Sequence, residues 1–194
     1  MSYFIAPAGG IDSFAGFIPA RMGSDYQING ALPAILTPLS AAFVHAGMMH
    51  LALNMVILIY CGRMVEPVLG SARFIVLYGA GAYAAAGAQW LADPHTDVPM
   101  VGASGAISAL VAVYSLYFSR QKVRPIGPVP APVVRALWLG AAWVLIQLAF
   151  GIMMQADGTS IATAAHIGGF LFGLLAARPL LHNRFGGQGG ASAL

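Results

Sequence analysis

From about residue 46 onward the chain is a succession of apolar runs parted by short polar breaks, at roughly 46–65, 74–92, 101–118, 134–154 and 160–181. Each run approaches the ~20 residues a helix needs to cross a hydrocarbon core about 30 Å thick. The pattern predicts five membrane-spanning helices. Residues 1–40 differ: Pro7, Gly9, Gly10, Asp12, Pro19, Arg21 and Asp25 cut them into pieces too short to cross. That stretch predicts interfacial or loop structure, with Pro33 and Pro38 ahead of the first long helix. It has no basic leader before a short apolar run, so no cleavable signal peptide is expected.

Composition agrees with the pattern. With 59% hydrophobic residues, 8% charged residues and a mean hydropathy of +0.78 over 194 residues, the chain is no ordinary soluble globule. The expected organisation is an external segment at 1–40, an all-α membrane bundle at 41–182 and a flexible tail at 183–194 built around Gly186-Gly187-Gln188-Gly189-Gly190. Cys61 lies inside an apolar run and reads as helix packing.

Charge sets the orientation. Arg63, Arg73, Arg120, Lys122, Arg124, Arg135, Arg178 and Arg184 make eight of the nine basic residues, and they fall in the loops at 63–73 and 119–135 and in the region after 177. Asp93, Asp97 and Asp157 lie in the opposite loops, with Asp12 and Asp25 ahead of the first span. By the positive-inside rule the basic loops and the C-terminus face the cytoplasm and the N-terminus faces outward. The basic residues are scattered rather than clustered, so the net charge of +3 suggests no nucleic-acid partner. Pro125, Pro128, Pro130 and Pro132 stiffen the second basic connection. Gly79-x-Gly81, Gly102 with Ser104-Gly105, and Gly169-x-x-x-Gly173 let helices approach closely in lipid, which predicts a compact bundle.

Candidate chemistry gathers at one depth. The third run opens on Gly102-Ala103-Ser104-Gly105, placing a serine at a helix N-terminus whose free N–H groups can stabilise developing negative charge. The first run opens on His45, His50 and Asn54. His166 stands about 9 Å along the fifth at 1.5 Å per residue. All three runs start at the outer face, and polar groups left unpaired in hydrocarbon cost several kcal/mol each, so they should face one another or water.

Serine needs a base to become a nucleophile at neutral pH, and histidine suits that task. No Asp or Glu accompanies these residues in the outer half of a span, so a hydrolase here would use a Ser–His dyad. His50 and Asn54 at i,i+4 share a helix face and, with the Ser104 backbone N–H, could serve an oxyanion. Zinc on His45, His50 and His166 is the competing use, but no HExxH and no nearby carboxylate or second cysteine supports it. His95 and His182 read as solvated. No Lys-Ser/Thr follows Gly105, so the glycines form no phosphate loop.

His45-x4-His50-x3-Asn54, Gly62-Arg63-x-x-Glu66-x-x-x-Gly70, Gly102-x-Ser104-Gly105 and Ala165-His166-x-x-Gly169-x-x-x-Gly173 together, in this order over roughly residues 37–178, resemble the rhomboid family of intramembrane serine proteases. The resemblance implies Ser104 as nucleophile, His166 as general base, His50 and Asn54 in the oxyanion hole, and His45 in the supporting hydrogen-bond network. It implies that Gly169-x-x-x-Gly173 packs the last helix on the serine helix, that Arg63 and Glu66 are structural, and that no cofactor or metal is needed. Substrates would be single-span or polytopic membrane proteins in the bilayer of a bacterial inner membrane, cut near the outer face.

Three departures accompany the likeness. Family members of the basic bacterial type have six spans, and the one before the first external loop is not among the five visible here. Ser108 stands where many bacterial members carry an aromatic residue, so stacking on the base should be weaker or come from elsewhere. A Trp-Arg pair common in the first external loop is absent. Two rival readings are a rhomboid-like protein that escorts membrane clients without cutting them, and a transporter using buried histidines for protons or ions.

Overall fold

The computed structural model describes residues 10–23, 26–118, 123–156 and 162–185. Among these the chain is helical, and strand-like pairing is confined to two isolated antiparallel bridges. Two short helices, α1 (Gly10–Ala15) and α2 (Thr37–Ser40), precede five long ones: α3 (Met48–Leu69), α4 (Ser71–Ala92), α5 (Ser104–Phe118), α6 (Ala131–Ala156) and α7 (Thr163–Phe185). The five long helices coincide with the five apolar runs. By length and composition α3 and α4 each suffice to cross a membrane. The fifth run was expected from 160; its helix begins at Thr163, which puts His166 in the first turn, and α7 continues to Phe185.

Local chemistry sets the helix ends. Gly70 alone joins α3 to α4, at φ 81°, a conformation that favours glycine. Its N–H donates to the Glu66 carbonyl at 2.7 Å, and the Ser71 hydroxyl donates to the Glu66 carboxylate at 2.8 Å. Glu66 thus fastens the sharp reversal between the two helices. At the start of α6 the N–H groups of Val133 and Val134 donate to the Pro130 carbonyl at 3.0 and 3.1 Å, and the prolines there cost no helical hydrogen bond.

The serine helix α5 lies at the centre. It packs most extensively on α7 and α4, which also pack on each other, and then on α3; α6 rests chiefly on α7. Small residues make the close approaches possible. A methyl group at Gly105 would sit 2.6 Å from Ala85 Cβ, and one at Gly169 or Gly173 would collide with the carbonyl oxygen of Gly105 or Ala109. Larger apolar side chains, Val65, Leu69, Leu77, Leu110 and Val113, fill the end of the bundle remote from Ser104.

The described residues before α3 form short helices and turns, none long enough to span, and they are firmly tied to the bundle. Phe17 and Met100 exchange backbone hydrogen bonds of 2.9 and 2.7 Å, and Ala20 N–H donates to the Thr96 carbonyl at 3.1 Å. Ser40 Oγ donates to the Ala15 carbonyl at 2.7 Å, and Gly102 N–H donates to the Ala41 carbonyl at 2.8 Å. Phe17 and Ala41 share a buried cluster with Ala86. The loop that leads into the serine is therefore held by chain that precedes it by more than one long helix. Asp25, Arg120, Lys122, Asp157, positions 160–161 and the glycine-rich tail from 186 lie outside the described residues.

Candidate active site

Ser104 is the first residue of α5, so its own N–H and those of Gly105 and Ala106 have no partner within the helix; the helix bonds resume with Ile107 N–H to the Ala103 carbonyl at 2.9 Å. Gly102 makes the turn into the helix at φ 111°. That conformation and the available space both exclude a side chain: a methyl at Gly102 would lie 2.6 and 2.7 Å from Cε1 and Nε2 of the His50 ring. The Cε1–Nε2 edge of the His50 imidazole is thus close to the turn that presents the serine.

Across the interface, Ser104 Oγ and His166 Nε2 are 2.7 Å apart. At this distance the hydroxyl donates to Nε2 when the imidazole carries its proton on Nδ1. The two side chains come from helices that approach through glycine on both sides, Gly105 on α5 and Gly169 on α7. Bulk at Gly169 would push these two helices apart and lengthen the serine–histidine contact, whereas bulk at Gly105 would meet Ala85 of α4.

His50 has a defined polarity. The Ala46 N–H donates to His50 Nδ1 at 3.4 Å, so the ring proton belongs on Nε2, the nitrogen lying against Gly102. Asn54, buried one turn further along α3, donates one amide hydrogen to the His50 backbone carbonyl at 2.9 Å. Its side chain is held on its own helix, and it shares the His50 face as the i,i+4 spacing predicts. His45 packs edge-on against His50, with ring centroids 5.1 Å apart and planes at 70°. The contact between His45 and His50 is thus one of ring against ring. Burial and the neighbouring His50 lower the His45 pKa below the ordinary imidazole value, partly offset by a hydrogen bond to the Phe43 backbone.

Ser108 is buried and donates its hydroxyl to the Ser104 carbonyl at 2.8 Å, a bond within α5. From α6, Trp143 Nε1 donates to the His166 backbone carbonyl at 3.2 Å and its indole stacks on Phe170 at 5.0 Å. A tryptophan in mid-span carries no sequence signal for this role. Neither do Phe17 and Ala41, whose contribution to the serine loop is made by backbone atoms. His95 is exposed, its N–H donating to Asp93 Oδ1 at 3.3 Å, and Cys61 is buried in the bundle. The His182 side chain lies outside the described residues.

The Rhomboid domain family matches residues 34–183. Over 149 residues the chain is 32% identical to the rhomboid protease GluP of Bacillus subtilis, covering 75% of this chain and 25% of that protein. It is 33% identical over 139 residues to the rhomboid protease GlpG of Serratia proteamaculans, covering 71% of this chain and 45% of that one. A 76-residue stretch is 40% identical to rhomboid-related protein 3 of Homo sapiens, 39% of this chain and 18% of that protein. The chain belongs to the rhomboid family, and with it to the integral, multi-pass membrane proteins. It spans a quarter of GluP and just under half of GlpG.

Proposed function

We propose that the chain is an intramembrane serine endopeptidase that cuts membrane-protein substrates near the outer face of a bacterial inner membrane, with its C-terminus in the cytoplasm. The observation that carries this reading is the 2.7 Å contact between Ser104 Oγ and His166 Nε2 at the N-terminus of α5. His166 takes the hydroxyl proton as Ser104 attacks the scissile carbonyl, and then returns it to the leaving amine. The Ser104 N–H, the His50 Nε2–H and the Asn54 amide receive the oxyanion, and water from the outer side hydrolyses the acyl-enzyme.

Geometry supports the depth. At 1.5 Å per residue the 15 residues of α5 rise about 22 Å, less than a hydrocarbon core of about 30 Å, so a serine at its outer end stays below the surface. The substrate must unwind there, because an intact helix keeps its carbonyls in its own hydrogen bonds.

The test is cleavage of a single-span substrate in liposomes by the chain and by Ser104→Ala and His166→Ala, together with fluorophosphonate labelling. Cleavage lost in both variants supports the dyad. Equal cleavage by Ser104→Ala sinks it, and a folded chain that neither cleaves nor labels is an escort protein.

A further inference from the structure

Trp143 links α6 to the first turn of α7. An α-helical carbonyl at position 166 already takes the amide of residue 170. Trp143 adds a second donor to that same oxygen, Nε1–H at 3.2 Å, and lays its indole on Phe170 at 5.0 Å with planes 11° apart. Phe170 is itself buried, one turn beyond His166. Elsewhere on α6, Leu137, Trp138 and Leu145 are each about two-thirds exposed, while Val134 is buried. Trp143 therefore joins α6 to the turn that carries His166, beside the packing of Gly140 near Leu171 and Leu174 and the Arg135 hydrogen bond to the Ser115 carbonyl.

We propose that Trp143 is a positioning residue that ties the seating of α6 to the placement of the His166 imidazole against Ser104, an inference that rests on the protease reading given above. Ser108 provides no aromatic surface on the serine helix, since its hydroxyl is turned onto the Ser104 carbonyl. An aromatic contact to the base turn comes from α6, beside the close packing of Gly168 and Gly169 on α4 and α5. When α6 is seated, the indole N–H and the ring stack fix that turn at two points. When α6 swings away, both are lost together and the serine–histidine contact loosens.

The experiment uses the full chain in detergent, with Trp143→Phe, which keeps a ring and removes the N–H, and Trp138→Phe as an exposed control on the same helix. Amide hydrogen exchange is followed by mass spectrometry beside kcat and KM on a single-span substrate. The expected result for Trp143→Phe is faster exchange confined to residues 163–170 and kcat reduced about three- to tenfold with KM within twofold, a hydrogen-bond-sized effect. Trp138→Phe should change neither. Unchanged exchange at 163–170 overturns the proposal whatever the activity. Faster exchange with kcat intact overturns it as well. Faster exchange in a parent chain that neither cleaves nor labels leaves the α6–α7 tie standing and removes the protease reading instead.

Discussion

Gly169 on α7 faces the carbonyl oxygen of Gly105 on α5 so closely that no β-carbon fits between them. The blocking atom is backbone and cannot rotate away. Gly169→Ala should therefore part the two helices, lower stability by about 1–3 kcal/mol and reduce serine labelling by fluorophosphonate. Gly87→Ala is the comparison: nothing lies within 4 Å of a methyl there, and alanine is the better helix former. Thermal unfolding in detergent should rank Gly87→Ala at or above the parent and Gly169→Ala well below it. The reverse ranking would refute the close-packing account.

Gly102 is constrained twice, by φ 111° and by the His50 ring. Any L-residue there is strained by about 1–3 kcal/mol and must also displace an imidazole. Gly102→Ala should abolish labelling of Ser104 while leaving the helix content of the bundle unchanged by circular dichroism. Normal labelling would show that the serine turn tolerates a different backbone path.

His50 and Asn54 should not be equivalent. The Nε2–H of His50 lies against the serine turn, whereas one amide hydrogen of Asn54 is already committed to the His50 carbonyl. His50→Ala should lower kcat by about 10²–10³-fold, in the range of a lost oxyanion donor. Asn54→Ala should cost less in kcat and more in stability, because it also removes a buried hydrogen bond. Steady-state kinetics beside thermal unfolding separates the two, and equal kcat losses would count against this division of labour.

Lowering the pH should weaken the fold in part through His45. Its folded pKa lies below the ordinary value of 6.5, so the unfolded chain binds the proton more readily. The stability this group contributes is complete above about pH 6.5 and is lost as pH falls toward its folded pKa. His45→Gln removes the titration and should flatten the fall in melting temperature between pH 7 and pH 5. An unchanged slope would assign the acid sensitivity to other groups.

The five long helices were legible because each apolar run is of helical length, although among the described residues only α3 and α4 are long and apolar enough to cross a membrane. The meeting of Ser104 with His166 was legible because polar groups at a common depth in an apolar bundle need partners. Gly169 and Gly173 were legible through their spacing. Other features left no trace in residue type. The ties from Phe17 to Met100 and from Ala41 to Gly102 run between backbone atoms, which every residue carries. Trp143 is one apolar residue among many in its span, and only the register of α6 on α7 turns its N–H toward the His166 carbonyl. The first turn of α7 was placed a few residues early because apolar content continues across a helix boundary.

Ser104 and His166 stand 62 residues apart in the chain, and α7 is the last of the long helices to be made. On the protease reading proposed above, a nascent chain that has inserted α3, α4 and α5 holds the serine turn, with its upstream ties, but not yet the histidine that would activate it. Reactivity would then wait for α7 to dock, and the growing polypeptide would be spared its own chemistry while its neighbours in the bilayer are still folding.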